Sequence, residues 1–227
     1  MTFTLYHARP VLDLIGKYEG IGSYDTIYGG ISKDLRPAKL TSMTVAQVVR
    51  MQETWRAKGM KSTAAGLYQI LYKTLLATIQ QMNFDTSRKF DAATQDSMAY
   101  HLLTGRGFQR FLDGKIDADD MAVALSKEWA SLPVPHDMQG ANRWLRAGQS
   151  YYAGDGLNKA HASIREVEVA LAVAKERYRS GAQPSDPVSP PVSDQDPIKK
   201  PAESPSPGML GALLVAAAFC AIVLVKG

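Results

Sequence analysis

Over most of the first 180 residues the apolar positions recur with a helical period. Leu12, Ile15 and Glu19 are spaced i, i+3, i+7 and share one face of a helix predicted over about 9–19, with Gly20 as its stop. The stretch from Tyr24 to Gly30 reads differently. Its aromatic and β-branched residues precede a Gly pair, which predicts a short strand and turn. Thr44 and Gln47 form a capping box, flanked by Met43 and Val48 as a hydrophobic staple, so a helix is expected from about 45 to 58, ending at Gly59. Residues 60–69 read as a loop. Leu71, Leu75, Ile79 and Met82 then form the stripe of a further apolar helix. Asp91 is the expected N-cap of a helix through about 103. Asp117 or Asp119 caps another that runs through Trp129 and is ended by Pro133. A long helix over about 159–179 places Ile164, Val167, Leu171 and Ala174 on one face. The pattern predicts a mainly α, α+β head with one small β element near its start.

The pattern breaks after residue 180. Residues 181–207 carry prolines at 184, 187, 190, 191, 197, 201, 205 and 207, which remove backbone donors and block helix. This stretch is expected to be a disordered, extended and solvated spacer, about 3.1 Å long per residue. From Met209 to Val225 there are 17 uncharged residues, at the short end of the roughly 17–25 that a spanning helix needs. The chain thus divides into a head at 1–180, a Pro/Ser-rich linker at 181–207 and a C-terminal transmembrane anchor at 208–227. Only Lys226 and Gly227 follow the apolar run, and the flanking charges, Lys199, Lys200 and Lys226, do not fix its orientation. The first ten residues lack the basic-then-apolar pattern of a signal peptide.

Composition narrows the function classes. The formal net charge is +4. Residues 1–180 hold 23 Lys/Arg against 18 Asp/Glu, a mild excess of +5 without a basic block, so no nucleic-acid partner is expected. A diffuse positive field favours approach to an anionic surface such as a bacterial wall, and is equally an ordinary soluble surface. Cys220 is the only cysteine and lies in the apolar tail. His7, His101, His136 and His161 are scattered. No cofactor or metal is expected from either set.

Glu19 is the residue that chemistry singles out. It shares a face with Leu12 and Ile15, and it ends a helix where the macrodipole disfavours negative charge. Both effects raise a carboxyl pKa. A carboxylic acid held protonated near neutral pH is what protonates a glycosidic leaving oxygen. The plainer alternative is a solvated Glu at a frayed helix end.

A resemblance adds weight to the first reading. The stretch from Leu12 through Glu19 and Gly20, then Tyr24 to Gly30, resembles the start of the bacteriophage lambda endolysin family. Ser62-Thr-Ala-Ala-Gly66-Leu-Tyr68-Gln69-Ile70, Phe90 to Asp96, and Trp129-Ala-Ser-Leu-Pro133 resemble it in the same order. The resemblance implies a lysozyme-like fold, two helical lobes about a cleft, and lytic transglycosylase activity on the MurNAc–GlcNAc bond of peptidoglycan. It also implies that Glu19 first acts as the acid. As carboxylate it then takes a proton from the muramic 6-hydroxyl, which closes a 1,6-anhydro ring. Ser62, Tyr68 and Gln69 are the expected contacts to sugar hydroxyl or acetamido groups, with Tyr24 and Tyr28 on the same wall. Gln69 is equally a structural bond to backbone, and Trp129 reads as core. Gly29, Gly30 and Gly66 read as backbone devices.

A hydrolytic muramidase usually needs two carboxyls. Asp25 is the nearest second candidate, either facing the cleft or lying on the strand surface. Two departures from the family pattern, Ile21 and Leu67 (the latter where lambda's endolysin is basic), bear on substrate preference. A third reading is an inactive, wall-binding virion component. The expected partners are bacterial peptidoglycan, a lipid membrane through the C-terminal helix, and other virion or lysis proteins. The expected location is an internal viral membrane or the host inner membrane.

Overall fold

The computed structural model describes residues 2–181. The predicted linker and anchor lie outside the described residues, apart from Gly181. Among the described residues no helix is long and apolar enough to cross a membrane.

The chain forms α1 (Leu5–Glu19), two 3-10 turns (Lys33–Leu35 and Leu40–Ser42), α2 (Val45–Ala57), α3 (Tyr72–Met82), α4 (Ala92–Gly105), α5 (Phe108–Leu112) and α6 (Ala118–Glu128). An antiparallel pair follows, β1 (Met138–Gln139) and β2 (Trp144–Leu145), and then α7 (Ile164–Ser180). The mainly helical expectation holds. Asp91 caps α4 through the Thr94 N–H, Asp117 rather than Asp119 caps α6, and the Thr44/Gln47 box closes α2.

Two helix starts and one whole helix differ, each for a local reason. The first helix starts at Leu5, because the Thr4 N–H donates to Nδ1 of His7 one turn on, at 3.0 Å. Pro10 therefore lies inside the helix and leaves the Tyr6 carbonyl without its i+4 donor. Nη1 of Arg177 on α7 donates to that carbonyl at 3.1 Å, so the partner helix supplies the missing bond. The last helix begins at Ile164, set by a Ser163/Glu166 capping box. The short α5 has no counterpart in the sequence reading: two glycines, Gly107 and Gly114, bracket it and hide its five residues from a periodicity test.

The predicted strand at 24–30 is corrected. That segment makes only a single bridge, Ile27 to Ala65, with Tyr28 N donating to Ala64 O and Gly66 N to Thr26 O. The Gly29-Gly30 turn on one side and Gly66 at φ +83° on the other end the ladder after one rung. The small sheet lies instead at 138–145.

The core sits where α1 packs on α7 and α4. Leu12, Ile15, Met98, Ala99, Leu103, Leu125, Leu171 and Ala174 are buried there. The start of α4 clamps the 63–70 segment onto α1. Gln95 Oε1 accepts the Leu67 N–H at 2.8 Å, while its Nε2 donates to Tyr24 O and Phe90 O. A Cβ on Gly20 would lie 2.3 Å from the Leu67 carbonyl oxygen, so Gly20 is needed for close approach; its φ of −100° asks for no glycine.

Candidate active site

The stripe that begins with Leu12 and Ile15 continues to Glu19, the last residue of α1, which is 1% exposed. Burial pushes its carboxyl up from the usual 4.5 to about 7. The helix C-terminus acts in the same direction. One contact acts the other way. The backbone N–H of Ser131, just past α6, donates to Glu19 Oε1 at 3.0 Å, and the Ser131 hydroxyl lies beside the same carboxyl. The frayed, solvated alternative for Glu19 does not describe this side chain.

Glu19 lines a small, tight cleft of about 20 Å³. Tyr68 to Leu71, with Thr74 of α3, form one wall. Leu102 of α4 and Glu128 and Trp129 at the end of α6 form the other. Gln69 sits in the left-handed backbone region at φ +47°, which a non-glycine residue adopts at a cost of order 1–3 kcal/mol. Its Nε2 donates to Gly66 O at 2.8 Å and to Thr26 O at 3.4 Å, which fixes the amide and leaves Oε1 buried without a partner. The expected backbone bond is made at one end of Gln69, and the other end is a buried, unbonded acceptor on a residue that lines the Glu19 cleft. Trp129 is core, at 3% exposed, and lines the cleft as well.

The ring of Tyr68 walls the cleft, but its hydroxyl is bound behind it to Asp96 Oδ1 at 2.6 Å. Tyr24 donates to the same oxygen at 2.8 Å, and Arg9 Nη2 pairs with Oδ2 at 2.7 Å. Burial, with the Asp96 carboxylate next in importance, raises both phenol pKa values, so both hydroxyls stay protonated donors.

The structure thus brings Glu19, Tyr68 and Gln69 to one cleft. It places Tyr24, Asp25, Tyr28 and Ser62 outside the lining. Asp25 Oδ1 accepts the Thr41 N–H at 2.7 Å. Tyr28 is buried against Gly30, and Ser62 Oγ accepts the Ala64 N–H. Leu67 packs its side chain on Gly16 of α1, which explains an apolar residue there by core packing.

Three residues near the cleft were not singled out from the sequence. Glu128 is the cleft's other carboxyl and is paired with Arg106, whose Nε donates at 2.6 Å. Ser131 binds Glu19. For Ser131 the signal was the Trp129–Pro133 stretch; for the Arg106–Glu128 pair, 22 positions apart across α4 and α6, no local signal exists.

A sequence model described as Endolysin matches residues 22–157, more than half of the chain. The chain belongs to the endolysin family. Membership makes it a peptidoglycan-degrading enzyme of phage type. The matched span holds Tyr68, Gln69, Glu128, Trp129 and Ser131 and starts just past Glu19. No curated protein and no solved structure gives a significant match.

Proposed function

We propose that this endolysin-family chain is a lytic transglycosylase that cleaves the MurNAc–GlcNAc bond, with Glu19 as its single acid and base. The observation that carries this reading is the buried carboxyl at the end of α1, raised to about 7, in a cleft with no second unpaired carboxyl among the described residues. Protonated Glu19 donates to the glycosidic oxygen as the bond to C1 breaks. The muramic 6-hydroxyl oxygen then bonds to C1, and its proton passes to the Glu19 carboxylate. One C–O bond breaks, one forms, Glu19 regains its proton, and water is not consumed. Gln69 Oε1, a fixed and unbonded acceptor, is suited to a sugar hydroxyl or acetamido N–H. Tyr24 supports this wall from outside the lining through Asp96, which also holds Tyr68.

A hydrolytic muramidase is the second reading, because Glu128 lines the same cleft. Its pairing with Arg106 argues against use as a free base or nucleophile. A tether through the apolar run at 209–225 is part of the proposal and is supported by the uncharged sequence alone. It would keep the enzyme at the wall near a viral or host membrane.

The test is digestion of purified peptidoglycan by the full-length protein, read by mass spectrometry. Products ending in 1,6-anhydromuramic acid, lost in Glu19→Gln, support the transglycosylase. Reducing muramic ends establish hydrolysis and turn attention to Glu128. A folded protein that binds wall without cutting it identifies an inactive wall-binding component.

A further inference from the structure

Ser131 is held on both sides of its side chain. Its N–H is bonded to Glu19, and its carbonyl accepts N–H bonds from His161 at 2.8 Å and Ala162 at 3.1 Å, where the excursion over 132–160 returns to the body. The residue is 2% exposed. Its hydroxyl oxygen lies beside the Glu19 carboxyl, yet it is buried without a hydrogen-bond partner of good geometry among the described residues. A buried, unbonded hydroxyl costs stability and calls for an explanation. Here its neighbour is a group that changes protonation during the proposed reaction.

Because Oε1 accepts the Ser131 N–H, it serves as the carbonyl oxygen of the neutral acid, and the acidic proton sits on Oε2. A serine hydroxyl is both donor and acceptor and reverses by rotating one bond. We propose that Ser131 is a positioning residue whose hydroxyl follows the protonation state of Glu19. Beside the carboxylic acid it stands without a bond of good geometry, and it donates to the carboxylate once the proton has passed to the glycosidic oxygen. The change needs no co-reactant and asks only for a small adjustment of the Ser131 side chain into hydrogen-bond geometry. It gives the carboxylate a second donor at the moment it has left its proton and before it collects one from the 6-hydroxyl. The inference rests on the single-carboxyl reading for its place in the reaction, but the coupling itself belongs to the empty protein.

A hydrogen bond to a charged acceptor is stronger than one to a neutral group, so the hydroxyl favours the carboxylate. Its removal moves the Glu19 midpoint up. The experiment is a ¹³C NMR titration of the Glu19 carboxyl in the full-length protein over roughly pH 4 to 9, with the cleavage pH profile measured alongside. Ser131→Ala keeps the backbone N–H and is expected to raise the midpoint by about one pH unit, the scale of one charge-assisted bond. It is also expected to move the alkaline limb of kcat upward by a similar amount, lower kcat about 10-fold or more, and leave KM nearly unchanged. Ser131→Thr retains the hydroxyl and is expected to restore the wild-type midpoint. Ser126→Ala, which removes a buried serine hydroxyl bonded to Val123 O in α6, is the control and leaves the midpoint in place. An unchanged midpoint in Ser131→Ala, or an equal shift in the control, overturns the proposal. A shifted midpoint in a protein that cuts no glycan upholds the coupling and overturns the reaction reading instead.

Discussion

The phenol of Tyr68 donates to Asp96 at 2.6 Å, so the ring that walls the Glu19 cleft is anchored from behind by a carboxylate that also binds Tyr24 and Arg9. One side chain on α4 therefore joins α1, the 24–30 segment and the cleft wall. Asp96→Ala leaves two phenols and a guanidinium without their acceptor. The expected loss is about 2–4 kcal/mol, at or below the range for a fully buried pair because Arg9 keeps some water. Chemical denaturation measures it, and a loss under about 1 kcal/mol contradicts the anchoring role.

Glu19→Gln keeps the shape of the side chain and removes the transferable proton. Cleavage is expected to fall by at least about 10³-fold, with the far-UV and near-UV circular dichroism unchanged. Activity within about tenfold of wild type would remove Glu19 from the mechanism.

The same group makes stability depend on pH. Its folded pKa lies above the unfolded one, about 7 against 4.5. Between those values the native state holds more protons than the unfolded chain, so stability falls as pH rises. The contribution is present in full below pH 4.5 and is lost by about pH 7, amounting to roughly 3 kcal/mol. Glu19→Gln lacks this slope. The wild-type minus variant difference in unfolding free energy should decline from pH 4.5 to 7 by that amount, and a flat difference would place the Glu19 pKa near its ordinary value.

Two glycines separate conformational strain from crowding. Gly59 has φ +72° and open space where a Cβ would lie, so Gly59→Ala should cost only about 1 kcal/mol from its left-handed backbone. Gly66 has φ +83° and Gln95 Oε1 only 2.3 Å from the corresponding point. Gly66→Ala displaces the amide that holds Leu67, Tyr24 and Phe90, and should cost about 2 kcal/mol more than Gly59→Ala. Equal thermal shifts in the two variants would show that Gln95 is not the constraint.

The tether carries its own expectation. The full-length chain should partition with membranes after detergent-free lysis, and a chain truncated after residue 207 should not. Recovery of the full-length protein in the aqueous fraction counts against the anchor.

Much of the helical frame was legible in the sequence. The Thr44/Gln47 box, the caps at Asp91 and Asp117, and the stripe through Leu12, Ile15 and Glu19 all appear in the structure. Legibility failed at α5, where flanking glycines leave too few residues for a period, and at 24–30, where strand-forming residues lack a continuous partner.

By itself the sequence determined what depends on neighbours a few positions away: helical period, caps, and the face on which Glu19 lies. Those are set by backbone geometry and short-range hydrogen bonds, which one chain displays along its length. The tertiary structure decided how deeply Glu19 is buried, that Ser131, 112 positions later, donates to it, and that Tyr68 is tied to Asp96. It also decided that Glu128 faces the same cleft while bound to Arg106. A carboxyl's pKa follows from the water removed around it and the donors left beside it, and both are supplied by segments that only the packed fold brings together.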